Sequence, residues 1–207
     1  MLYKQVIDNL RNAYDQKVSE REARDLIAWK AAERGEFLTL LQNEGKHNLL
    51  EVGAGTGIHG KFFQDNGLEV ICTDLSPNMV ACCREKGLQA HAMDFLNLDF
   101  PTESFDAVFA MNCLLHVPRR NLAHVLVSIK DLLRMGGLFY WGQYGGIEQE
   151  GIYADDHYSP KRFFSFLTDE QVKDYAAGYF EPLSFNSIHL EDDEMHYQGM
   201  VLRKSLV

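Results

Sequence analysis

From Asn48 onward the chain alternates short apolar runs with amphipathic segments, and that alternation limits the folds open to it. "NLLEVG", "EVICTD", "LQAHAMD", "FDAVFAM" and "GLFYWGQY" read as five strands, the third the weakest. Helices are predicted between them near 58–66, 77–86 and 119–134. Apolar strands spaced in this way by helices predict a parallel sheet covered on both faces. The punctuation agrees. In "DLSPNMVACCREKG", Ser76 can cap a helix, Pro77 suits its first turn and Gly87 can close it. Leu122, Val125, Leu126, Ile129, Leu132 and Leu133 form one helical face that belongs to the core. "TDEQ", from Thr168 to Gln171, matches a capping box and starts another helix. Near the end, "PLSFNSIHL" and "MHYQGMVLRK" flank the acidic turn "EDDE" and read as an antiparallel hairpin. The expected class is α/β, a doubly wound and mostly parallel sheet ending in that hairpin.

A chain of 207 residues fits one domain, 1–207, with enough length to bury a substantial core. Residues 1–44 are polar and helical in pattern, with Leu26, Ile27, Trp29, Phe37, Leu38 and Leu41 spaced for one apolar face; they are expected as a helical lid. No apolar run approaches membrane-spanning length, and "MLYKQVIDNLRN" lacks the features of a secretory signal, so a soluble cytoplasmic protein is expected. The net charge of −10, without a basic stripe, disfavours nucleic acid as a partner. It reads as solubility, or as a taste for cationic substrates. Cys72, Cys82, Cys83 and Cys113 form no CxxC pair and have no histidine at finger spacing, so reduced packed thiols are expected and no metal.

"LLEVGAGTGIHGKFF", Leu49 to Phe63, places Gly53, Gly55 and Gly57 in the turn leaving the first strand. Ligands of open α/β sheets sit at the carboxyl ends of the strands, and glycines let a ligand approach the backbone there. The following helix N-terminus offers free N–H groups. On this motif alone, a tight turn without a ligand also stays open. A phosphate-binding P-loop fails, since Gly57-Ile58-His59 replaces the required GK[ST]. The dinucleotide fingerprint needs glycine at position 58, and Ile58 weakens that reading. Asp74 ends the second strand about 20 residues past the loop, where an acid can accept both ribose hydroxyls of an adenosine cofactor, or serve as an ordinary strand-end acid. Asp94-Phe95, after the third strand, can hold an adenine amino group beside an apolar flank, or can be a turn acid and its neighbour.

"LLEVGAGTG", "VICTDLSPNMV", "AMDFLNLDFPTESFDAVFAMNCLLHVP" and "LLRMGGLFYWGQY", in this order, resemble the class I S-adenosylmethionine-dependent methyltransferases. Within them the chain is most similar to the small-molecule type 11 group, akin to the ubiquinone-biosynthesis methyltransferases, over about 48–145. The resemblance implies a Rossmann-like seven-stranded sheet with its last strand antiparallel, S-adenosylmethionine as cofactor and a small-molecule acceptor. It implies that Gly53, Ala54, Gly55 and Gly57 hold the methionine portion with Glu51 assisting. Asp74 would take the ribose hydroxyls, Leu75 and Met79 would lie against the adenosine, and Asp94 and Phe95 would bind adenine. Asn112 would border the methionine tail and the methyl group. A nicotinamide-dependent oxidoreductase and a non-catalytic S-adenosylmethionine-binding protein are the alternatives.

Methyl transfer is an in-line displacement that needs a base only where the acceptor must lose a proton. His116, in "NCLLHVPRR", is the candidate for that base; a packed helix-start histidine is the plainer role. Tyr14 and Trp29 are expected to close over the cofactor, or else to serve as core aromatics. Residues 142–168 are expected as a substrate cover, because loops this long are often active-site lids. Their Glu150, Asp155, Asp156 and His157, among aromatic side chains, would suit an amine or cationic acceptor, or act as solvated turn residues. The acceptor itself is left open.

Overall fold

The computed structural model describes residues 3–189 and 194–205. Its centre is a seven-stranded sheet in the order β3-β2-β1-β4-β5-β9-β8. The strands are β1 (Asn48–Val52), β2 (Glu69–Asp74), β3 (Gln89–Ala92), β4 (Phe105–Met111), β5 (Leu133–Gly145), β8 (Glu181–His189) and β9 (His196–Arg203). The first five pair in parallel, whereas β9 runs antiparallel between β5 and β8. The C-terminal hairpin read from the sequence is therefore present; residues 191–193 of its acidic turn lie outside the described residues.

Helices cover both faces because the parallel strands are apolar on both sides. On one face, α6 (Arg119–Leu132) and α7 (Asp169–Tyr179) bury Leu122, Val125, Leu126, Ile129, Val172 and Ala176 against the sheet. On the other, α3 (Ala28–Asn43), α4 (Ile58–Asp65) and α5 (Pro77–Glu85) contribute Phe37, Leu41, Phe63, Val80 and Cys83. Two further helices, α1 (Tyr3–Asp15) and α2 (Val18–Glu22), precede these. Val6 and Leu10 of α1 pack with Phe163 in a small separate cluster. The capping box at Thr168 forms as expected.

Three local readings change. Leu26 and Ile27 precede α3 instead of joining its apolar face, and Ile27 is 51% exposed. The fifth strand begins at Leu133, straight out of α6, because the chain bulges through Gly136 (φ 69) between the pairs Phe105–Leu133 and Ala107–Leu138. The stretch 142–168 is not one long loop. Residues 142–145 end β5, and β6 (Gln149–Ile152) pairs antiparallel with β7 (Phe163–Phe166). Phe163, Ser165 and Phe166 of this hairpin are buried, and Phe164 stacks on Phe166 at 5.1 Å.

The order reverses between β1 and β4: β2 and β3 lie to one side, β5 to the other. The crevice at their carboxyl ends is where a ligand of such a sheet sits. One residue ties its floor to α1. Ser76 accepts a hydrogen bond from Met79 N at 3.1 Å as the N-cap of α5, while its hydroxyl donates to Asp15 at the end of α1. Ser76→Ala loses both bonds, and a stability loss of about 1–2 kcal/mol is expected from urea midpoints. An unchanged midpoint would mean that neither bond contributes.

Candidate functional site

The turn from β1 to α4 is shaped by what lies beneath it. Gly53 has φ 67, and a side chain there would start 2.4 Å from Cβ of Cys113, so the turn can settle onto the end of β4 only without one. Gly57 has φ 82, with Leu88 and Cys83 within 2.9 Å of the same construction. Gly55 is different: its open side meets only the Arg21 guanidinium, at 3.8 Å. The turn packs tightly behind and faces a cavity in front.

Asp74 fixes this turn. One carboxylate oxygen accepts from Gly55 N at 2.8 Å and the other from Ser76 N at 2.9 Å. Burial pushes its carboxyl above the ordinary range, against the pull of those two N–H groups and Arg21. The cavity it borders is lined also by Gly53, Gly55, Leu75, Met79, Phe95, Asn112, Tyr14 and His116. Asn112 holds a left-handed conformation (φ 56), donates its N–H to Gly142 O at 2.7 Å, and has a buried Oδ1 without a partner. Ala54 borders a second cavity across the glycine turn, and Asp94 a third beside Leu75. The Asp94 carboxylate already accepts from Leu96 N at 2.8 Å and Asn97 Nδ2 at 2.9 Å.

Three residues expected at the site do not line these cavities. Trp29 packs on the Tyr197 ring at 4.4 Å, between core and lid. Gly57 faces the helix behind the turn. Glu51 is 2% exposed, lies under the turn, and accepts from Cys72 Sγ at 3.5 Å. Burial, with Cys83 close by, pushes the Glu51 carboxyl up to about 8.

His116 lies at the cavity wall with both ring nitrogens engaged. Nδ1 donates to Phe163 O at 2.7 Å, which leaves Nε2 to accept from the Tyr14 hydroxyl at 2.6 Å. Burial, with Arg162 and Arg21 nearby, pushes the ring down to about 3, so it is neutral at physiological pH. The Tyr14 oxygen also accepts from Arg162 Nη1 at 3.1 Å, and Arg162 stacks on Tyr158 at 3.6 Å. Asp156 grips that guanidinium at 2.7 and 3.0 Å. Glu150 accepts from Arg119 N at 2.9 Å. Asp156 thus pairs with Arg162 within the connection from β6 to β7, and Glu150 is bonded to the start of α6.

The sequence reading missed Arg21, Lys30 and His59, which line the cavities alongside the glycine turn. Arg21 and Lys30 belong to the polar helical stretch, where a cation over a cavity and a cation in solvent look alike. Burial, with Arg34 and Lys30 near, pushes His59 down to about 3, and its Nδ1 has no partner.

Residues 49–137 match the family model for a methyltransferase domain. The chain as a whole has the class I methyltransferase fold. It aligns over 99% of its length with the Burkholderia thailandensis 1,6-didemethyltoxoflavin-N1-methyltransferase, crystallised with 1,6-didemethyltoxoflavin and S-adenosylhomocysteine, at a TM-score of 0.77 and 22% identity, covering 91% of that chain. It is 31% identical over 144 residues to the glycine/sarcosine N-methyltransferase of Parasynechococcus marenigrum, 63% of this chain and 50% of that protein. It is 34% identical over 93 residues to the demethylmenaquinone methyltransferase of Tropheryma whipplei, 43% of this chain and 38% of that protein. The chain therefore spans half or less of these curated relatives. Among its described residues no helix is long and apolar enough to cross a membrane, and no cluster of His, Cys, Asp and Glu could hold a metal ion.

Within the matched stretch, Glu51 yields a pH test. Its folded value, about 8, lies above the ordinary carboxyl value of about 4.3, so its contribution is intact at low pH and lost as pH rises through that window. Glu51→Gln should differ least from the wild-type urea midpoint at pH 4 and exceed it increasingly toward pH 8. A constant difference at both pH values would place the titration elsewhere.

Proposed function

We propose that this domain transfers a methyl group from S-adenosylmethionine to a small-molecule acceptor. The observation that carries the reading is the convergence of Asp74, the glycine turn and Asn112 around one cavity at the switch point of a methyltransferase-family sheet. The cofactor supplies a methyl group bound to a sulfonium, which leaves readily; the chain supplies position. Asp74 takes the ribose hydroxyls with the oxygen lone pairs left beside its two backbone bonds. Leu75, Met79 and Phe95 enclose the adenosine, and Asp94 meets the adenine edge. Asn112 Oδ1, buried without a partner, accepts from the methionine ammonium, and Arg21 faces its carboxylate. Glu51, with its carboxyl buried behind the turn, serves by packing instead of contact.

Alignment of this kind contributes several kcal/mol when two reactants become effectively one, and excluding water adds to it. Tyr14, Arg162 and Tyr158 join the N-terminal helices to the β6–β7 hairpin above the cavity, and in this reading they close it. His116 is a positioning residue that holds Tyr14, since its base nitrogen is already taken. The net charge of −10 favours a small molecule over nucleic acid, and four free cysteines suit the reducing cytoplasm. The nicotinamide reading is weaker because residues 49–137 match a methyltransferase domain.

S-adenosylhomocysteine should raise the melting temperature and NAD should not. By calorimetry, Asp74→Ala should lose about 1.5–3 kcal/mol of S-adenosylhomocysteine affinity, the scale of charged hydrogen bonds. Asp74→Asn, which keeps an oxygen for one backbone N–H, separates loss of the ligand contact from collapse of the turn. Stabilisation by NAD alone would overturn the reading.

A further inference from the structure

Across the glycine turn from Asp74 lies the second cavity, about 220 Å³. Its floor is Gly53, Gly55, Met111 and Asn112, shared with the first cavity. Its walls come from the connection into α3 and from the first turn of α4. Ile27 and Ile58 stand at it 51% and 39% exposed, two large aliphatic side chains left uncovered beside a polar floor.

Three cations border the same space, and they are not equivalent. Arg24 is bonded to Glu20. Arg21 lies on the Tyr14 ring at 5.2 Å, donates to the Tyr158 hydroxyl and also borders the first cavity. Lys30 makes no ion pair with a carboxylate among the described residues. Its ammonium sits 5.2 Å from the centres of both the Trp29 and the Tyr144 rings. The one acid on the wall, Asp25, is exposed. His59 completes the wall as a neutral ring whose Nδ1 is buried without a partner.

We propose that this second cavity receives the methyl acceptor, and that the acceptor is a small monocarboxylate with an apolar body. The carboxylate pairs with Lys30, and the apolar body lies between Ile27 and Ile58. One uncommitted ammonium matches one negative charge, so the geometry favours a carboxylate over a dianionic phosphate ester. An amine acceptor would meet three cations and only a solvated acid. The state of Lys30 points the same way. Burial, with Arg21 and Arg24 nearby, pulls its ammonium down to about 8, a penalty that an arriving anion relieves. The shared floor brings such a ligand to Asn112, beside the position assigned above to the methyl group. This inference rests on the methyl-transfer reading of the first cavity.

The test titrates wild type, Lys30→Met and Lys30→Arg with S-adenosylhomocysteine, and then with benzoate, benzamide and benzylamine, with and without S-adenosylhomocysteine. Lys30→Met keeps a flexible side chain of similar length and removes the charge beside the two rings. Wild type should bind benzoate about tenfold or more tightly than benzamide, with benzylamine weakest. That preference should vanish in Lys30→Met and persist in Lys30→Arg, while S-adenosylhomocysteine affinity stays unchanged. Three results would overturn the proposal: no preference for benzoate in wild type, a preference that survives in Lys30→Met, or an equal loss of S-adenosylhomocysteine affinity in that variant. The last would assign Lys30 to the methionine carboxylate. Failure of wild type to bind S-adenosylhomocysteine counts against the methyl-transfer reading instead, and the benzoate series without it still reads the cavity.

Discussion

The site depends on one buried carboxylate. Asp74 holds the N–H of Gly55 with one oxygen and that of Ser76 with the other, and so joins the end of β2 to the glycine turn and to the start of α5. Each N–H belongs to a backbone stretch with no helix or sheet partner of its own at that point, and a buried N–H without an acceptor costs about 1–3 kcal/mol. Ser76, once held, caps α5 and reaches Asp15 of α1. The end of α1 is thus tied through Ser76 to Asp74, which borders the cavity. Gly53 completes the arrangement from the other side, since only a missing side chain lets the turn rest on Cys113.

The second constraint is the clasp above the cavity. Three aromatic rings and two guanidinium groups meet there without a free carboxylate, because Asp156 is consumed by Arg162. Such a cluster is cohesive only if its polar atoms are paired, and they are: Tyr14 donates to His116 and accepts from Arg162, while His116 donates to Phe163 O. The neutral imidazole is a condition of this, since a protonated ring would present a donor to a hydroxyl that already accepts from Arg162. The histidine expected to act as a base is therefore built into the structure that holds α1 against the β6–β7 hairpin.

Legibility in the sequence followed the range of the forces involved. The strands, the caps at Ser76 and Thr168, and the C-terminal hairpin are local and periodic, and they were readable within a residue or two. Asp74, Gly53 and Gly55 line one cavity, because their placement depends on where a strand ends. Trp29 and Glu51 were harder. Which side of a helix or strand end faces a cavity depends on the packing of a distant element, β9 for Trp29 and α4 for Glu51. The β6–β7 hairpin hid because Gly151, Asp155, Asp156 and Pro160 carry turn signals on a segment whose strands are only four residues each. Arg21 and Lys30 carried no signal at all, since nothing in a polar helical run marks which cation will be buried.

Charge shows the same limit. A net charge of −10 points toward cationic substrates if the whole chain is taken as one field. Screening shortens that field to about 8 Å at physiological ionic strength, so solvated acids on the far surface contribute little inside a cavity. What counts there is the nearest desolvated charge, and at the second cavity that charge is positive. Burial pulls Lys30 and His59 below their ordinary values, each depressed further by neighbouring cations. A space that makes protonation costly for its own bases is one in which an anion is stabilised and a second cation is not. The acidity belongs to the chain as a whole, whereas the wall of the second cavity carries three cations, Arg21, Arg24 and Lys30, and one acid, the exposed Asp25.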